Sequence, residues 1–226
     1  MGIHAIIQKM NKAFIFDMDG VIVNSEQIWK LFENDFLDRI LGKEIAKNIG
    51  DTVGTNVEFI YEKACALGLQ MSKRVFREFY DTTAYKVYAR ATITPDLDKL
   101  VAFLLDHHFK LGLVSASPQN WIDQVLPRLS FTKDIECILS LDARPDLSPK
   151  PSPDGYLETM KCLGSDPAHT IILEDSNAGI ESGLNSKAYT IAFTYNLIEG
   201  YTQIKADAVA DTIDEVIKIV HKRFDT

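Results

Sequence analysis

Short apolar runs that alternate with helical segments constrain the fold of this 226-residue chain most tightly. Each run has the length of a buried strand, and the segments between runs show helical periodicity. This alternation predicts a doubly wound (Rossmann-like) α/β fold, in which helices cover both faces of a parallel sheet. The predicted strands are Ala13–Phe16, Leu111–Val114, Cys137–Leu139, Ile171–Leu173 and Thr190–Phe193. The predicted helices are Pro95–Asp106, Pro118–Leu129, Asp154–Leu163, Ala178–Leu184 and Thr212–Arg223.

One stretch breaks the alternation. Between residues 25 and 91 the chain carries amphipathic helical patterns and no run that resembles a strand. These patterns are Ile28–Ile40, Val57–Leu67 and Ser72–Tyr88. We therefore predict an α/β core made of residues 1–24 and 92–226, with an all-helical insertion, residues 25–91.

Composition excludes several classes of protein. The net charge is −8, from 24 basic and 32 acidic residues, and no Lys/Arg-rich run is present, which argues against a nucleic-acid partner. No apolar run reaches the roughly 18 residues that span a bilayer, so we expect no membrane association. Three widely spaced cysteines, Cys65, Cys137 and Cys162, indicate a reducing compartment and hence the cytoplasm. Met10 offers an alternative start, and the role of the residues before it stays open.

The first predicted strand runs directly into Asp17-Met18-Asp19-Gly20. Ligands of open α/β sheets bind at the carboxyl ends of strands, and acids two residues apart can point to the same side of the chain. A calcium-binding loop is excluded, because it needs glycine at the sixth position, whereas Gly20 is fourth. On these residues alone, a catalytic pair and a plain polar turn remain equally open.

A second strand ends at Ser115-Ala116-Ser117-Pro118. Ser117 suits a helix N-cap and Pro118 suits the first helical position. Hydroxyl and backbone N–H groups at such a helix start can bind an anion. Ordinary capping would explain Ser117 equally well, but it leaves Ser115 unexplained.

Two further strand ends carry charged residues. Lys150 lies in a loop stiffened by flanking prolines, although most isolated loop lysines are simply solvated. Glu174 and Asp175 follow an apolar run, where adjacent acids are costly without a cation. Mg²⁺ prefers oxygen ligands and would remove that cost, whereas a helix start with acidic residues in its first turn would account for one of the two acids.

In this order, Asp-x-Asp, Ser, Lys and Glu-Asp resemble the haloacid dehalogenase-like hydrolase superfamily. The chain is similar to its helical-cap branch, which includes sugar-phosphate phosphatases and β-phosphoglucomutase. The resemblance covers essentially the whole chain and implies that the helical insertion is a mobile cap. It also implies a Mg²⁺-dependent phosphoric monoester hydrolase that acts on a small phosphorylated metabolite, as a monomer or weak dimer. The matching stretches are FIFDMDGVIVNSE, LGLVSASP, SPKPSPDGY and IILEDSNAGI.

The resemblance also implies roles for individual residues. Asp17 would be the nucleophile that forms an aspartyl-phosphate, and Asp19 would be the general acid and base. Lys150 would neutralise charge on the phosphate and on the nucleophile.

The remaining implied roles concern binding. Ser115 and the N–H of Ala116, together with Lys150, would hold phosphoryl oxygens. Glu174 would contact the metal directly or stand behind its ligands. The residues implied at the metal are Asp17, Asp19 (through its backbone carbonyl), Glu174 and Asp175.

The substrate is less constrained than the reaction. Mutases use two basic cap residues, which align near Val57 and Asp81 of this chain, and neither position is basic here. This difference favours a phosphatase, which transfers the phosphoryl group to water. A β-phosphoglucomutase-like phosphomutase remains the alternative, because four other basic residues could substitute. They are Arg74, Arg77, Lys86 and Arg90.

Three residues at the start of the helical insertion are candidates for substrate contact. Ser25 and Glu26 lie in an Asn-Ser-Glu sequence similar to the Asp-Ser-Glu of many sugar-phosphate phosphatases. Glu26 could bond substrate hydroxyls and Trp29 could stack on a sugar ring. Packing at the hinge of the insertion is the alternative, and we favour it slightly.

Overall fold

A parallel β-sheet forms the centre of the protein. The computed structural model describes residues 10–50 and 57–224, without the side chains of 33–35. Its strands are β1 (Lys12–Phe16), β2 (Phe109–Ser115), β3 (Ile135–Ser140), β4 (Thr170–Glu174), β5 (Tyr189–Phe193) and β6 (Ala208–Ala210). They are arranged in the order β3-β2-β1-β4-β5-β6, and every neighbouring pair is parallel. The predicted α/β sheet is therefore confirmed. The sequence before Met10 lies outside the described residues.

The helices follow the predicted order. In the part of the chain described, the core helices are α5 (Leu97–Asp106), α6 (Gln119–Val125), α7 (Asp154–Cys162), α8 (Asn177–Ser186) and α9 (Ile213–Phe224). The predicted helix Pro118–Leu129 is wrong in extent. It ends at Val125 and continues as a 3-10 turn, Leu126–Arg128, because Pro127 lacks an N–H donor.

Alternating side chains of β1 pack on opposite faces of the sheet. Phe14 and Phe16 belong to a large buried cluster that includes apolar residues of α5, α6 and α9. Ala13 and Ile15 belong to a second cluster, with Tyr156 of α7. The core therefore lies on both sides of the sheet, as in a doubly wound fold, and only the strand ends remain for a polar site.

The helical insertion contains α1 (Ser25–Leu41), α2 (Lys43–Asn48), α3 (Val57–Ala66) and α4 (Lys73–Arg90). Three of these match predicted helices, whereas the short α2 was not predicted. Aromatic rings join three of them: Phe36 of α1 lies 4.8 Å from Tyr80 of α4, and Tyr61 of α3 lies 5.2 Å from Phe76 of α4. None of the helices in the described ranges combines the length and apolarity that a bilayer crossing needs. The division into core and insertion remains a prediction.

The chain enters and leaves the helical insertion at one place. The N–H of Asn24 donates to the Thr92 carbonyl (3.1 Å), and the N–H of Thr92 donates to Asn24 Oδ1 (2.7 Å). Val23 and Ile93 form an antiparallel bridge beside them. The two crossings are therefore tied together, next to the carboxyl end of β1.

Candidate active site

The carboxyl ends of β1 and β4 bring three acidic side chains into one buried cluster. Asp17 follows β1, Glu174 is the last residue of β4, and Asp175 comes next. One carboxylate oxygen from each lies within 4.8 Å of the others. The N–H of Asp17 donates to the carbonyl of Leu173 (3.0 Å), so the pairing of the two strands sets the position of the cluster.

Lys150 supplies positive charge to this cluster. Its Nζ lies 2.6 Å from Asp17 Oδ1 and 2.5 Å from Glu174 Oε1. Its side chain is 3% exposed, and a lysine buried to this degree is found paired. The alternative of a solvated loop lysine therefore does not hold.

Glu174 is fully buried, and both of its carboxylate oxygens accept hydrogen bonds. Oε1 accepts from Lys150 and from the Tyr156 hydroxyl (2.6 Å). Oε2 accepts from the N–H of Asp175 (3.1 Å) and from the N–H and hydroxyl of Ser176 (both 3.3 Å). A Cβ added at Gly179 would lie 1.9 Å from Oε1, so only glycine leaves room for this carboxylate. Tyr156 is the last residue of the matching stretch SPKPSPDGY, but it was not among the candidate site residues.

Burial and charge shift the pKa values of these groups. Burial, followed by the charge of Glu174, raises the pKa of Asp17 well above its usual range, although Lys150 acts in the opposite direction. Burial, followed by Asp17, raises the pKa of Asp175 as well. Burial acts to lower the pKa of Lys150, but Asp17 and Glu174 outweigh it and raise that pKa. One ammonium thus faces three carboxyl groups, and the cluster is short of positive charge.

Asp19 lies apart from the acid cluster, within a ring of hydroxyl groups. Its Oδ1 accepts from Ser25 (2.5 Å) and from Tyr88 (2.7 Å), both in the helical insertion. Its Oδ2 accepts from Ser117 (2.7 Å) and, at 3.4 Å, from Ser115. Tyr88 was not among the candidates, because it lies 69 residues along the chain and in no motif.

Ordinary helix capping, the alternative left open for Ser117, does not hold. Helix α6 begins at Gln119 with Pro118 as its N-cap and no side-chain cap bond. The hydroxyl of Ser117 instead donates to Asp19, and its N–H donates to Ser115 Oγ (3.0 Å). In a cap the serine oxygen would accept from a helix N–H, whereas here the hydroxyl donates to an ionisable carboxyl group, and charge-assisted bonds are the stronger ones.

A small cavity separates Asp17 from Asp19. Its volume is ≈ 30 Å³, enough for about one or two water molecules. Its lining residues are Asp17, Asp19, Glu26, Ala116, Ser117, Lys150, Asp175 and Ser176. The structure therefore brings the predicted nucleophile, acid, lysine and metal-ligand candidate to one space. Ser115 is buried beside it and is not among the lining residues.

The three candidates at the start of α1 differ in position. Glu26 lines the cavity, and Ser25 is fully buried against Asp19. Trp29 lies in an aromatic cluster, with ring centroids 5.6 Å from Trp121 and 5.9 Å from Tyr80. Its surroundings are those of a packing residue between the helical insertion and α6.

A loop after β5 supports the backbone of both acidic turns. The side-chain amide of Asn196 donates to the Gly20 carbonyl (3.1 Å), and that of Gln203 donates to the Asp175 carbonyl (2.7 Å). The same loop accepts a bond from Lys30 of α1 at the Glu199 carbonyl (3.1 Å). Sequence analysis missed these residues because their partners lie up to 176 positions away.

The profile of a known family matches most of the chain, from residue 14 to residue 193. The chain belongs to the haloacid dehalogenase-like hydrolase family. Hexitol phosphatase B of Escherichia coli K12 is 29% identical over 174 residues, which are 74% of this chain and 77% of the relative. β-Phosphoglucomutase of Bacillus subtilis is 26% identical, with 95% and 96% coverage.

A crystal structure of a predicted phosphoglycolate phosphatase from Haemophilus somnus shares the fold of this haloacid dehalogenase-like hydrolase. The TM-score is 0.72 at 18% identity, with 94% of this chain and 99% of that chain covered. At this identity the likeness concerns the fold alone.

Proposed function

We propose that this enzyme is a Mg²⁺-dependent phosphatase that hydrolyses a small phosphate monoester, in particular a sugar phosphate. The observation that carries the proposal is the shared cavity of Asp17, Asp19 and Lys150. One carboxylate beside an ammonium suits nucleophilic attack, and a second, held by hydroxyls, suits proton transfer. The name of the E. coli relative, a hexitol phosphatase, supports a phosphorylated carbohydrate as substrate.

The acid cluster fits a divalent cation. It offers three carboxylates with oxygens within 4.8 Å of one another, and hard oxygen ligands are those that Mg²⁺ prefers. Asp17, Asp175 and the backbone carbonyl of Asp19 would hold the ion. Because Glu174 already accepts five hydrogen bonds, we assign it to holding Lys150 beside Asp17 rather than to direct ligation. When bound, the ion would add positive charge at the phosphoryl group.

In the first step a carboxylate oxygen of Asp17 attacks phosphorus. The ester P–O bond breaks, its electron pair moves to the alcohol oxygen, and the protonated carboxyl of Asp19 gives its proton to that oxygen. The products are the alcohol, an aspartyl-phosphate and the Asp19 carboxylate. Lys150, at 2.6 Å from Asp17, reduces the repulsion between nucleophile and phosphate.

In the second step water attacks the same phosphorus. The Asp19 carboxylate takes a proton from the water, the bond between phosphorus and Asp17 breaks, and inorganic phosphate leaves. Asp17 returns to a carboxylate and Asp19 to an acid, so the cycle closes. The four hydroxyls that donate to Asp19 match the carboxylate form needed at this stage.

The surroundings of the basic residues favour water over a second phosphorylated sugar as the acceptor. Arg77 is paired with Asp142 (2.5 Å), away from the cavity, and the guanidinium of Arg74 is paired with Glu78. Lys86 and Arg90 are exposed on α4. Among the described residues, Lys150 is the one cation that lines the cavity, whereas a mutase must hold a second phosphate. The phosphomutase is therefore the weaker alternative.

We further propose that residues 25–91 act as a cap over the sheet edge. Ligand pockets for small molecules measure about 300–1,000 Å³, roughly ten times the volume of this cavity or more. Glu26, Ser25 and Tyr88 approach Asp19 from the insertion side. The insertion must therefore move away from the sheet edge before a sugar phosphate can enter.

A phosphate-release screen tests the proposal. Purified protein is incubated with a panel of sugar, polyol and other small phosphate monoesters, with Mg²⁺ and with chelator. We expect Mg²⁺-dependent release from at least one carbohydrate phosphate and none from the Asp17→Asn variant. Asp106→Asn, at an exposed position on α5, is the matched control and should remain active. Folded wild-type protein that releases no phosphate from any ester would contradict the proposal.

A further inference from the structure

We propose that Tyr88 is a positioning residue for proton transfer, through which the helical insertion orients the carboxyl group of Asp19. This inference rests on the proposed phosphatase function. Tyr88 lies in the last turn of α4, is 1% exposed, and its hydroxyl donates to Asp19 Oδ1 at 2.7 Å. The same hydroxyl lies 3.3 Å from Ser117 Oγ. It therefore connects the insertion directly to Oδ1 of Asp19 and lies beside the hydroxyl that donates to Oδ2.

The partners of Asp19 suit a group that gains and loses a proton. In the described parts of the chain, its recorded side-chain partners are all hydroxyls, from Ser25, Tyr88, Ser115 and Ser117. A hydroxyl can donate to a carboxylate and can rotate to accept from a carboxylic acid. A lysine or arginine could only donate and would favour the ionised form alone. Tyr88 can thus support Asp19 in both halves of the cycle.

The end of α4 is anchored to the core close to this hydroxyl. The guanidinium of Arg128 donates to the backbone carbonyls of Tyr88 (2.8 Å) and Ala91 (2.5 Å). The ring of Tyr88 packs against Trp121 of α6, with centroids 6.0 Å apart. Because core residues hold the ring when the insertion covers the sheet edge, its hydroxyl then has a defined position and can define that of the Asp19 carboxyl.

The substitution Tyr88→Phe removes the hydroxyl and keeps the ring. An alkyl phosphate needs a proton on its leaving oxygen, whereas 4-nitrophenyl phosphate releases a stable anion. General acid catalysis contributes roughly 10²–10⁴-fold in total. We expect kcat/KM to fall about 10- to 100-fold for the best alkyl phosphate of the screen and less than about threefold for 4-nitrophenyl phosphate. The loss should lie in kcat, with KM little changed.

Two controls separate positioning from a structural role. Tyr85→Phe removes a hydroxyl from the same helix at a residue that is 68% exposed, and kcat/KM should not change for either ester. Ser25→Ala removes the other donor to Oδ1, and its effect should not add to that of Tyr88→Phe, because both act on one oxygen. Thermal unfolding of each variant monitors the fold.

If Tyr88→Phe fails to fold, 3-fluorotyrosine at position 88 keeps the shape and makes the hydroxyl a stronger donor. The ratio of kcat/KM for the alkyl and nitrophenyl esters should then change at an unchanged unfolding temperature. Equal losses for both esters, or an unchanged ratio in an active enzyme, would overturn the role of Tyr88. Absence of phosphate release by the wild type would instead reject the proposed function.

Discussion

The sheet edge and the helical insertion hold charged side chains in different ways. At the edge, Lys150 and Asp17 form an ion pair whose side chains are 3% and 8% exposed. In the insertion, Lys73 pairs with Glu58 at 52% and 30% exposure. Buried ion pairs are costly to assemble and to break, whereas exposed pairs contribute little. The edge thus retains charges despite their cost to stability, which is typical of a functional site, and the insertion uses charge mainly on its surface.

The largest effect is expected for Lys150→Ala. The substitution leaves Asp17 and Glu174 buried without their cation, a change that costs about 3–5 kcal/mol in comparable cases. We also expect kcat to fall by about 10³-fold or more, because the nucleophile and the phosphate lose their shared positive charge. Urea unfolding and phosphate release measure the two effects.

Lys161→Ala is the matched control, since Lys161 on α7 is 82% exposed. It should change neither stability nor rate measurably. If Lys150→Ala retained more than a tenth of wild-type activity, the assignment of Lys150 to the reaction would be wrong.

Two glycines allow the same substitution to be compared in the two regions. Gly20 and Gly42 have left-handed φ angles of +79° and +78°. A Cβ at Gly42 meets nothing within 4 Å, whereas one at Gly20 would lie 1.8 Å from Asp175 Oδ2. Gly42→Ala should cost only the backbone strain, about 1–3 kcal/mol, because a ψ of 149° places Gly42 in a region that is essentially restricted to glycine. Gly20→Ala should cost more, and it should also weaken Mg²⁺ activation by displacing Asp175.

Calorimetric unfolding and Mg²⁺ titration of activity compare the two variants. Equal losses of stability with unchanged Mg²⁺ dependence would show that Asp175 can move without consequence.

The raised pKa values of Asp17 and Asp175 predict a pH-dependent effect of Mg²⁺. A carboxyl group whose pKa is higher in the folded than in the unfolded protein stabilises the fold at low pH. That contribution is lost as the pH rises from the ordinary pKa of 3.8 toward the pKa in the folded protein. Metal binding needs both groups ionised and releases their protons. Mg²⁺ should therefore raise the unfolding temperature more at about pH 8 than at about pH 5.

Differential scanning fluorimetry measures this difference, with Asp175→Asn as the control in which it should shrink. The same increase in unfolding temperature at both pH values would contradict a site made of these carboxyls.

The smallest effect is expected where the two regions meet at the surface. Arg77 of α4 donates to Asp142, which follows β3, at 2.5 Å, with side chains 31% and 9% exposed. Arg77→Met should lower stability by about 1 kcal/mol and raise KM more than it changes kcat, since it loosens the insertion. Arg74→Met removes an exposed pair, 77% and 60% exposed, and should have no measurable effect. Identical KM values for both variants would show that this ion pair does not hold the insertion.

The core and its acidic site were readable from sequence because their signals are local. Asp17, Lys150 and Glu174 each lie in or beside a strand end or a proline-bounded loop, and parallel strands bring such ends to one edge. The predicted strands are one to three residues shorter than the observed strands. Strand β6 was not predicted because its three residues are too few for a periodic pattern.

The supporting contacts were not readable, because they join distant parts of the chain. Tyr88 reaches Asp19 across 69 residues, and Asn196 reaches Gly20 across 176. For Ser117 the sequence left helix capping open, since a serine before a proline is typical of a helix start, and only the fold shows that its hydroxyl donates to Asp19. Local propensity therefore predicts elements, while tertiary packing decides the partners of polar side chains.

The ≈ 30 Å³ cavity has a consequence for timing. A space that admits about one or two water molecules can hold neither the substrate nor both products at the same time. If residues 25–91 act as the proposed cap, each turnover includes at least one separation of the helical insertion from the sheet edge, and such movements commonly take microseconds to milliseconds. Once the chemistry is fast, the rate of that separation becomes the upper limit of kcat, and solvent viscosity becomes a variable of the reaction.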